Sequence, residues 1–137
     1  MLRNTQLVVR KSNKPIKSET VSTKDLDPKD ELFFPWNEPY KKWHDQMWGT
    51  SKTPRRIEFI LPGLIEPFLQ TVGSWIIAPK SVTIQYRNRG KCFVQRIDPP
   101  PPERISYLVT HQHMRDDALL PIEILKSIMK KLGYFID

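Results

Sequence analysis

The stretch Lys80–Arg96, KSVTIQYRNRGKCFVQR, decides how the rest of the chain is interpreted. It carries no acidic residue, and its basic residues are Lys80, Arg87, Arg89, Lys91 and Arg96. Apolar and polar residues alternate on both sides of the glycine-containing segment Asn88–Gly90. Alternation interrupted by such a turn predicts a β-hairpin with a half-buried base. Because charges at a hairpin tip add little to a core, the stretch indicates a binding surface rather than a catalytic one.

Composition limits the classes of protein to which the chain can belong. The 137 residues fit one domain with room for a tail. Lysine and arginine number 22 against 15 acidic residues, a net charge of +7, which favours nucleic acid as a partner and an anionic membrane surface second. The single cysteine, Cys92, excludes an internal disulfide and a cysteine-based zinc site. No apolar run approaches the roughly 20 residues that span a bilayer.

The first part of the chain, residues 1–31, is polar and basic and predicts an extended tail. Residues 1–18 contain five basic residues and no acidic one, a composition typical of an organellar presequence. Pro15 and the weak periodicity argue against an amphipathic helix there. We therefore expect a tail that is ordered or bound to a partner, and a mitochondrial location is the hypothesis that this composition favours.

Residues 32–54 form a second predicted region, which is rich in aromatic side chains. The residues expected to dock are Phe33, Phe34, Trp36, Trp43 and Trp48. Such a segment packs across its own core, against a neighbouring protein, or both, and the sequence leaves these alternatives open. Within it, Pro39 at a first helical position and Gly49 just past Trp48 predict a short helix.

Residues 55–137 form the predicted domain. The pattern predicts a strand at 56–61, an amphipathic helix from about Leu64 to Ile76, the basic hairpin, and a strand at 104–110. A last helix follows Asp116 and Asp117 and ends before Gly133, with a closing strand at 134–136. This order predicts an α+β fold, with an antiparallel or mixed sheet and two helices on one face.

Catalytic and metal sites are not expected. His111 and His113 have a spacing that is unspecific for metal ligands, and they are interpreted as loop histidines. Asp116 and Asp117 are interpreted as charges at a helix N-terminus. Cys92 has basic neighbours that favour a thiolate, but no histidine lies near it in the sequence. With no phosphate-binding glycine motif either, we expect a protein that is not an enzyme, with no cofactor and no metal.

Three short motifs resemble the NusE-type ribosomal protein of the small subunit and its relative in the mitochondrial large subunit. These motifs are the strand RIEFIL (56–61) running into a helix, the link DPPPPER (98–104), and a strand that carries Thr110 and His111. The residues after His111 depart from the family, which has basic residues there, whereas this chain has Gln112, His113 and Met114. The resemblance implies a ferredoxin-like sandwich and a structural protein embedded in RNA.

The sequence therefore predicts a non-catalytic structural subunit of a ribonucleoprotein, with a mitochondrial ribosome as the expected particle. Its partners would be rRNA and neighbouring subunits, with no small-molecule substrate. The residues expected to contact RNA phosphates are Lys80, Arg87, Arg89, Lys91, Arg96, Arg55 and Arg56. The alternative is an accessory subunit of a mitochondrial respiratory-chain membrane complex, with its basic residues near anionic lipid head groups. A third interpretation is that these basic residues form a solvent-exposed face of the sheet and bind no partner.

Overall fold

A computed structural model describes residues 1–49, 57–87 and 90–133 and shows an α+β fold. The chain divides into two units. The larger unit is Thr5–Pro102, and the terminal unit combines Met1–Asn4 with Glu103–Asp137.

The described residues form eight strands and three α-helices, joined in places by short 3-10 turns. The strands are β1 (Leu2–Asn4), β2 (Gln6–Lys11), β3 (Thr20–Ser22), β4 (Leu32–Phe33), β5 (Ile57–Glu58), β6 (Trp75–Pro79), β7 (Cys92–Asp98) and β8 (Arg104–Ser106). The helices are α1 (Glu38–Trp48), α2 (Lys80–Arg87) and α3 (Asp116–Lys131).

A four-stranded mixed sheet in the order β3-β7-β2-β6 organises the larger unit. Strand β2 is antiparallel to both β6 and β7, and β3 is parallel to β7. Residues 6–9 of β2 are all buried, because neighbours cover the strand on both edges and on both faces. The predicted extended tail is therefore corrected, since these residues form a central strand. The apolar run Leu7-Val8-Val9 is the local sequence feature that indicates this strand, but the basic residues around it favoured the prediction of a tail.

The sheet separates two apolar clusters, because side chains alternate between its faces. Val8 and Ile77 pack on one face against Tyr40 and Trp43 of α1. Their neighbours Val9 and Ile76 belong to the other cluster, which includes Tyr86 of α2. Helices α1 and α2 therefore cover opposite faces of this sheet, so the finer prediction of a sandwich with two helices on one face is not confirmed.

Helix α1 confirms the short helix predicted from Pro39 and Gly49. The Asn37 side chain accepts a hydrogen bond from the Tyr40 amide at 2.9 Å, which caps the first turn. Gly49 ends the helix at φ 85°, and its amide donates to the Asp45 carbonyl at 2.8 Å. A positive φ at that position favours glycine over other residues.

The predicted basic hairpin is wrong in its first half, because residues 80–87 form helix α2. Val82 is partly buried, and Thr83 and Tyr86 are buried, which is the spacing of a helical face. Ile84, which alternation placed beside Val82 and Tyr86, is 51% exposed. Val82 and Tyr86 are four residues apart and so fit either a strand or a helix, and only burial distinguishes the two. The second half of the prediction is a strand, β7.

The region from Leu64 to Ile76 also differs from the predicted amphipathic helix. It consists of 3-10 turns at Pro62–Leu64 and Glu66–Gln70, followed by β6 from Trp75. Gly73 at φ 92° turns the chain into β6, so the apolar residues that suggested one helix belong to two elements. The predicted strand at 56–61 is reduced to β5, which pairs with β4.

In the terminal unit β1 and β8 form an antiparallel pair, with Leu2 opposite Ser106. The predicted strand at 104–110 is thus paired only over β8. Helix α3 confirms the last predicted helix, and Gly133 at φ 73° donates its amide to the Lys130 carbonyl at 3.0 Å. The predicted closing strand at 134–136 lies outside the described residues.

Candidate anion-binding site

A cavity of about 650 Å³ lies beside α2 in the larger unit. Side chains or backbone from β2, β7, α2 and the segment before β3 line it. The lining residues are Thr5, Leu7, Glu19, Lys80, Arg87, Val94, Gln95 and Arg96. Three of the seven predicted basic residues therefore meet at one concave site.

Backbone hydrogen bonds hold the walls of this cavity together. The Lys80 amide donates to the Thr5 carbonyl at 2.8 Å, which fixes the start of α2 against the start of β2. The Arg96 amide donates to the Glu19 carbonyl at 2.8 Å, which fixes β7 against the segment leading into β3. Residues far apart in the sequence are thus placed by main-chain bonds, which hold whatever side chains these positions carry.

Helix α2 presents Lys80 and Arg87 to the cavity. The two residues are seven positions apart, or two helical turns, and so lie on the same side of the helix. Thr83, three residues after Lys80, and Tyr86 lie on the neighbouring part of the helix surface and are both buried, and the Thr83 hydroxyl donates to the Lys80 carbonyl at 2.9 Å. These contacts fix the rotation of α2 about its own axis, so that Lys80 at its start and Arg87 at its end line the cavity.

The charges around the cavity are predominantly positive. Lys80, Arg87 and Arg96 face a single acidic residue, Glu19, and all four are exposed. Among the described residues none of these four side chains forms an ion pair or a side-chain hydrogen bond. Unpaired positive charges in a concave site raise the local concentration of anions. The guanidinium groups also offer paired donors that match carboxylate and phosphate oxygens.

Apolar residues complete the cavity lining. Leu7 is buried, and Val94 is partly buried in the apolar cluster beside α2. A ligand in this cavity can therefore place an apolar body against Leu7 and Val94 and an anionic group against the basic side chains. Thr5, Leu7 and Glu19 were not predicted as part of a site, because no local sequence pattern relates them to α2.

The other predicted RNA-contacting residues lie elsewhere. Lys91 is exposed at φ 66° in the turn before β7 and does not line the cavity. Arg55, Arg56 and Arg89 lie outside the described residues.

The predicted docking aromatics belong to the core of the larger unit. Phe33 and Trp43 are buried, while Phe34, Trp36 and Trp48 are partly buried against the two clusters. The Trp36 indole donates to the Ile77 carbonyl at 2.6 Å and the Trp48 indole to the Thr23 carbonyl at 3.2 Å. The structure shows packing of this segment across the chain's own core, and docking of the same segment on a neighbour stays a prediction.

A buried polar pair that the sequence did not reveal links β4 to α1. The Nε2 atom of His44 lies 2.7 and 2.8 Å from the two carboxylate oxygens of Glu31, and both side chains are almost fully buried. The Nδ1 atom of His44 is buried and has no hydrogen-bond partner among the described residues. The aromatic rings of Phe33 and Trp48 lie within 5 Å of the imidazole, with centroid distances of 4.5 and 4.8 Å. This closed environment indicates a structural pair.

The remaining candidate residues of the sequence are His111, His113 and Cys92. The Nδ1 atom of His111 accepts a hydrogen bond from the His113 amide at 3.1 Å, as in a local turn. No group of three or more potential metal ligands occurs among the described residues. Cys92 is half-buried, and burial raises the pKa of the nearby Tyr86, with a smaller contribution from Cys92 against a lowering hydrogen bond from Gln85.

No protein-family model and no curated protein matches the chain. Among the described residues no helix has the length and apolar character needed to cross a membrane.

Proposed function

We propose that this chain is a non-catalytic binding protein whose larger unit holds a small organic anion in the cavity beside α2. One observation carries this proposal: Lys80, Arg87 and Arg96, all without ion-pair partners among the described residues, line the same concave site as Leu7 and Val94. A site of this composition fits a molecule with one or two anionic groups on an apolar body.

The size of the cavity favours a small ligand over a polymer. About 650 Å³ falls within the range of roughly 300–1,000 Å³ that is typical of small-molecule sites. The mixture of apolar and charged lining also matches such sites, in which a few polar groups orient a mostly apolar ligand.

The test is calorimetric titration of the full chain with acetate, benzoate and inorganic phosphate. We expect benzoate to bind more tightly than acetate, because only benzoate can contact Leu7 and Val94. Replacing Arg96 or Arg87 by alanine should weaken binding at least about tenfold, since a charged hydrogen bond contributes roughly 1.5–3 kcal/mol.

Lys41→Ala is the matched control, because it removes one positive charge from the exposed surface of α1, on the other face of the sheet. Its affinity for benzoate should equal that of the unchanged protein. The proposal is rejected if none of the three anions binds, or if Arg96→Ala and Lys41→Ala bind equally well.

A second candidate function is the ribonucleoprotein subunit expected from the sequence, in a mitochondrial ribosome, with rRNA and neighbouring subunits as partners. The observation that favours this candidate is a pair of basic residues outside the cavity, the exposed Lys91 and the nearby Lys11. The Lys11 ammonium donates to the Gly90 carbonyl at 3.2 Å, so positive charge extends beyond the cavity. The ferredoxin-like sandwich of the NusE-type family belongs to this candidate as a hypothesis. The mixed sheet supports the α+β class and does not by itself carry that finer assignment.

A single-stranded oligoribonucleotide separates the two candidates. The second predicts binding that weakens steeply with salt, because phosphate contacts release counterions. It also predicts that the triple variant Lys80→Ala, Arg87→Ala, Arg96→Ala reduces the salt dependence. Binding of benzoate without binding of the oligonucleotide would reject the ribonucleoprotein role.

A further inference from the structure

The cavity beside α2 has a single acidic residue in its lining, Glu19, and this residue lies next to a basic one. The Arg96 amide donates to the Glu19 carbonyl at 2.8 Å, so a main-chain hydrogen bond joins the two residues directly. Both of them line the cavity. An acidic and a basic residue are therefore held side by side in one concave site.

Glu19 forms no pair with the basic residues around it. Among the described residues, its side chain has no ion pair and no side-chain hydrogen bond, and the same holds for Lys80, Arg87 and Arg96. A carboxylate that only offset the surplus of positive charge would pair with the neighbouring guanidinium. Instead, Glu19 keeps its capacity to accept hydrogen bonds from a ligand, and Arg96 keeps its capacity to donate them.

Opposite charges at neighbouring positions restrict the chemistry of the ligand. A simple anion such as benzoate leaves the Glu19 carboxylate without a partner and places a like charge near it, which is unfavourable. An α-amino acid carries its ammonium and carboxylate groups on the same carbon atom. Their partners in a protein must then also be neighbours, as Glu19 and Arg96 are.

The apolar part of the lining restricts the ligand further. Leu7 is buried, and Val94 is partly buried in the apolar cluster beside α2. An apolar side chain of the ligand can contact both residues. The cavity volume of about 650 Å³ is ample for an amino acid with a large side chain.

We propose that the organic anion held beside α2 is an α-amino acid with an apolar side chain, and that Glu19 determines this specificity by binding its ammonium group. The carboxylate binds Arg96, with Lys80 and Arg87 as further donors, because a carboxylate accepts several hydrogen bonds. Since the carboxylate uses the basic side chains of the proposed anion site, recognition of the amino acid rests on that proposed function.

The experiment is calorimetric titration of the full chain at pH 7 with L-phenylalanine and with 3-phenylpropanoate. These two ligands differ only in the ammonium group. We expect L-phenylalanine to bind about threefold to tenfold more tightly, since an ion pair in an open cavity is partly screened by water. The amine 2-phenylethylamine has the ammonium group without the carboxylate, and it should bind more weakly than either, because the cavity is predominantly positive.

Glu19→Gln removes the negative charge and keeps the size of the side chain. In this variant the preference for L-phenylalanine should disappear, while 3-phenylpropanoate should bind as tightly as before or more tightly, because the like charge is gone. Glu19 is exposed, so the fold should be unchanged, and circular dichroism checks this. Equal weakening of both ligands in Glu19→Gln would show that Glu19 does not recognise the ammonium group.

Glu38→Gln is the matched control, because it removes an exposed carboxylate from the first turn of α1, on the other face of the sheet. It should keep the preference of the unchanged chain. If Glu38→Gln and Glu19→Gln lower that preference equally, the effect is one of net charge and the role of Glu19 is rejected. If 3-phenylpropanoate binds and L-phenylalanine binds no more tightly, recognition of an amino acid is rejected and the anion site stands. If neither ligand binds, and benzoate does not bind either, the proposed function fails as well.

Discussion

The two units of this chain differ in how they meet the requirement for a core. The larger unit holds every buried hydrophobic side chain among the described residues, in clusters on both faces of its sheet. The terminal unit holds none of them, although it has 10 of the 16 large exposed hydrophobic residues. The larger unit also buries polar groups such as Glu31 and His44, whereas the described residues of the terminal unit include no buried side chain.

Hydrogen exchange should show the largest difference between the units. Amides of β2 in the centre of the sheet should exchange only through global unfolding, whereas α3 opens locally. At low protein concentration we expect β2 amides to be protected at least about a thousandfold more than α3 amides, roughly 4 kcal/mol in opening free energy.

Repeating the hydrogen-exchange measurement at several protein concentrations tests whether a second copy covers α3. If α3 is covered by a second copy, protection of its amides should rise with protein concentration, while the protection of β2 stays constant. Equal protection of β2 and α3 at low concentration would show that the terminal unit has support of its own and would remove the contrast.

Trp75→Ala should cause the largest loss of stability among single substitutions considered for the larger unit. The Trp75 side chain is 2% exposed, lies 5.4 Å from the Trp48 ring, and donates to the Asp27 carbonyl at 2.8 Å. Removing a buried tryptophan leaves a cavity, and we expect a cost of about 4–5 kcal/mol in chemical denaturation.

The matched control for Trp75→Ala is Leu120→Ala in the terminal unit. Leu120 is 68% exposed, so its truncation should change the free energy of unfolding by no more than about 0.5 kcal/mol. A comparable loss in both variants would mean that the terminal unit shares the core of the larger one.

His44→Ala should destabilise the larger unit by about 3 kcal/mol, because it leaves the Glu31 carboxylate buried without its imidazole partner. The double variant Glu31→Gln, His44→Ala should recover part of this loss, since the buried side chain that lost its imidazole contact is then neutral. If the double variant is as unstable as the sum of the two single ones, the pair contributes no coupling and serves only as packing.

Local signals explain which elements could be predicted from sequence. Helices α1 and α3 were found because proline, asparagine or aspartate at one end and glycine at the other are local features. Strand β2 was missed because its burial comes from β6 and β7, which lie far along the chain. The α+β class could be predicted from the mixture of patterns, but the strand order could not.

The candidate site shows the same limit. Lys80, Arg87 and Arg96 stood out through their unbalanced charge, although α2 was interpreted as a strand. The cavity itself could not be predicted, because Thr5 and Glu19 reach it through backbone hydrogen bonds to Lys80 and Arg96. The basic residues can be identified from the sequence alone, whereas the cavity that they line forms only when distant segments fold together.

The smallest expected difference between the two units is in the pH dependence of stability, which depends on the buried Tyr86 of the larger unit. Burial raises the pKa of Tyr86 above the ordinary tyrosine value of about 10. Below pH 10 the phenol is neutral in the folded and unfolded states and adds no pH dependence. Above pH 10 the unfolded state releases this proton first, so the free energy of unfolding should fall as the pH rises.

Tyr86→Phe removes this contribution, so its stability should fall less steeply above pH 10 than that of the unchanged chain. In the folded protein, ultraviolet absorbance should show a late phenolate component whose amplitude falls in Tyr86→Phe. Tyr107→Phe removes an exposed phenol from the terminal unit and should retain that component. If the late component disappears in Tyr107→Phe instead, the apolar environment assigned to Tyr86 between α2 and the sheet is wrong, and with it the rotation of α2 that directs Lys80 and Arg87 into the cavity.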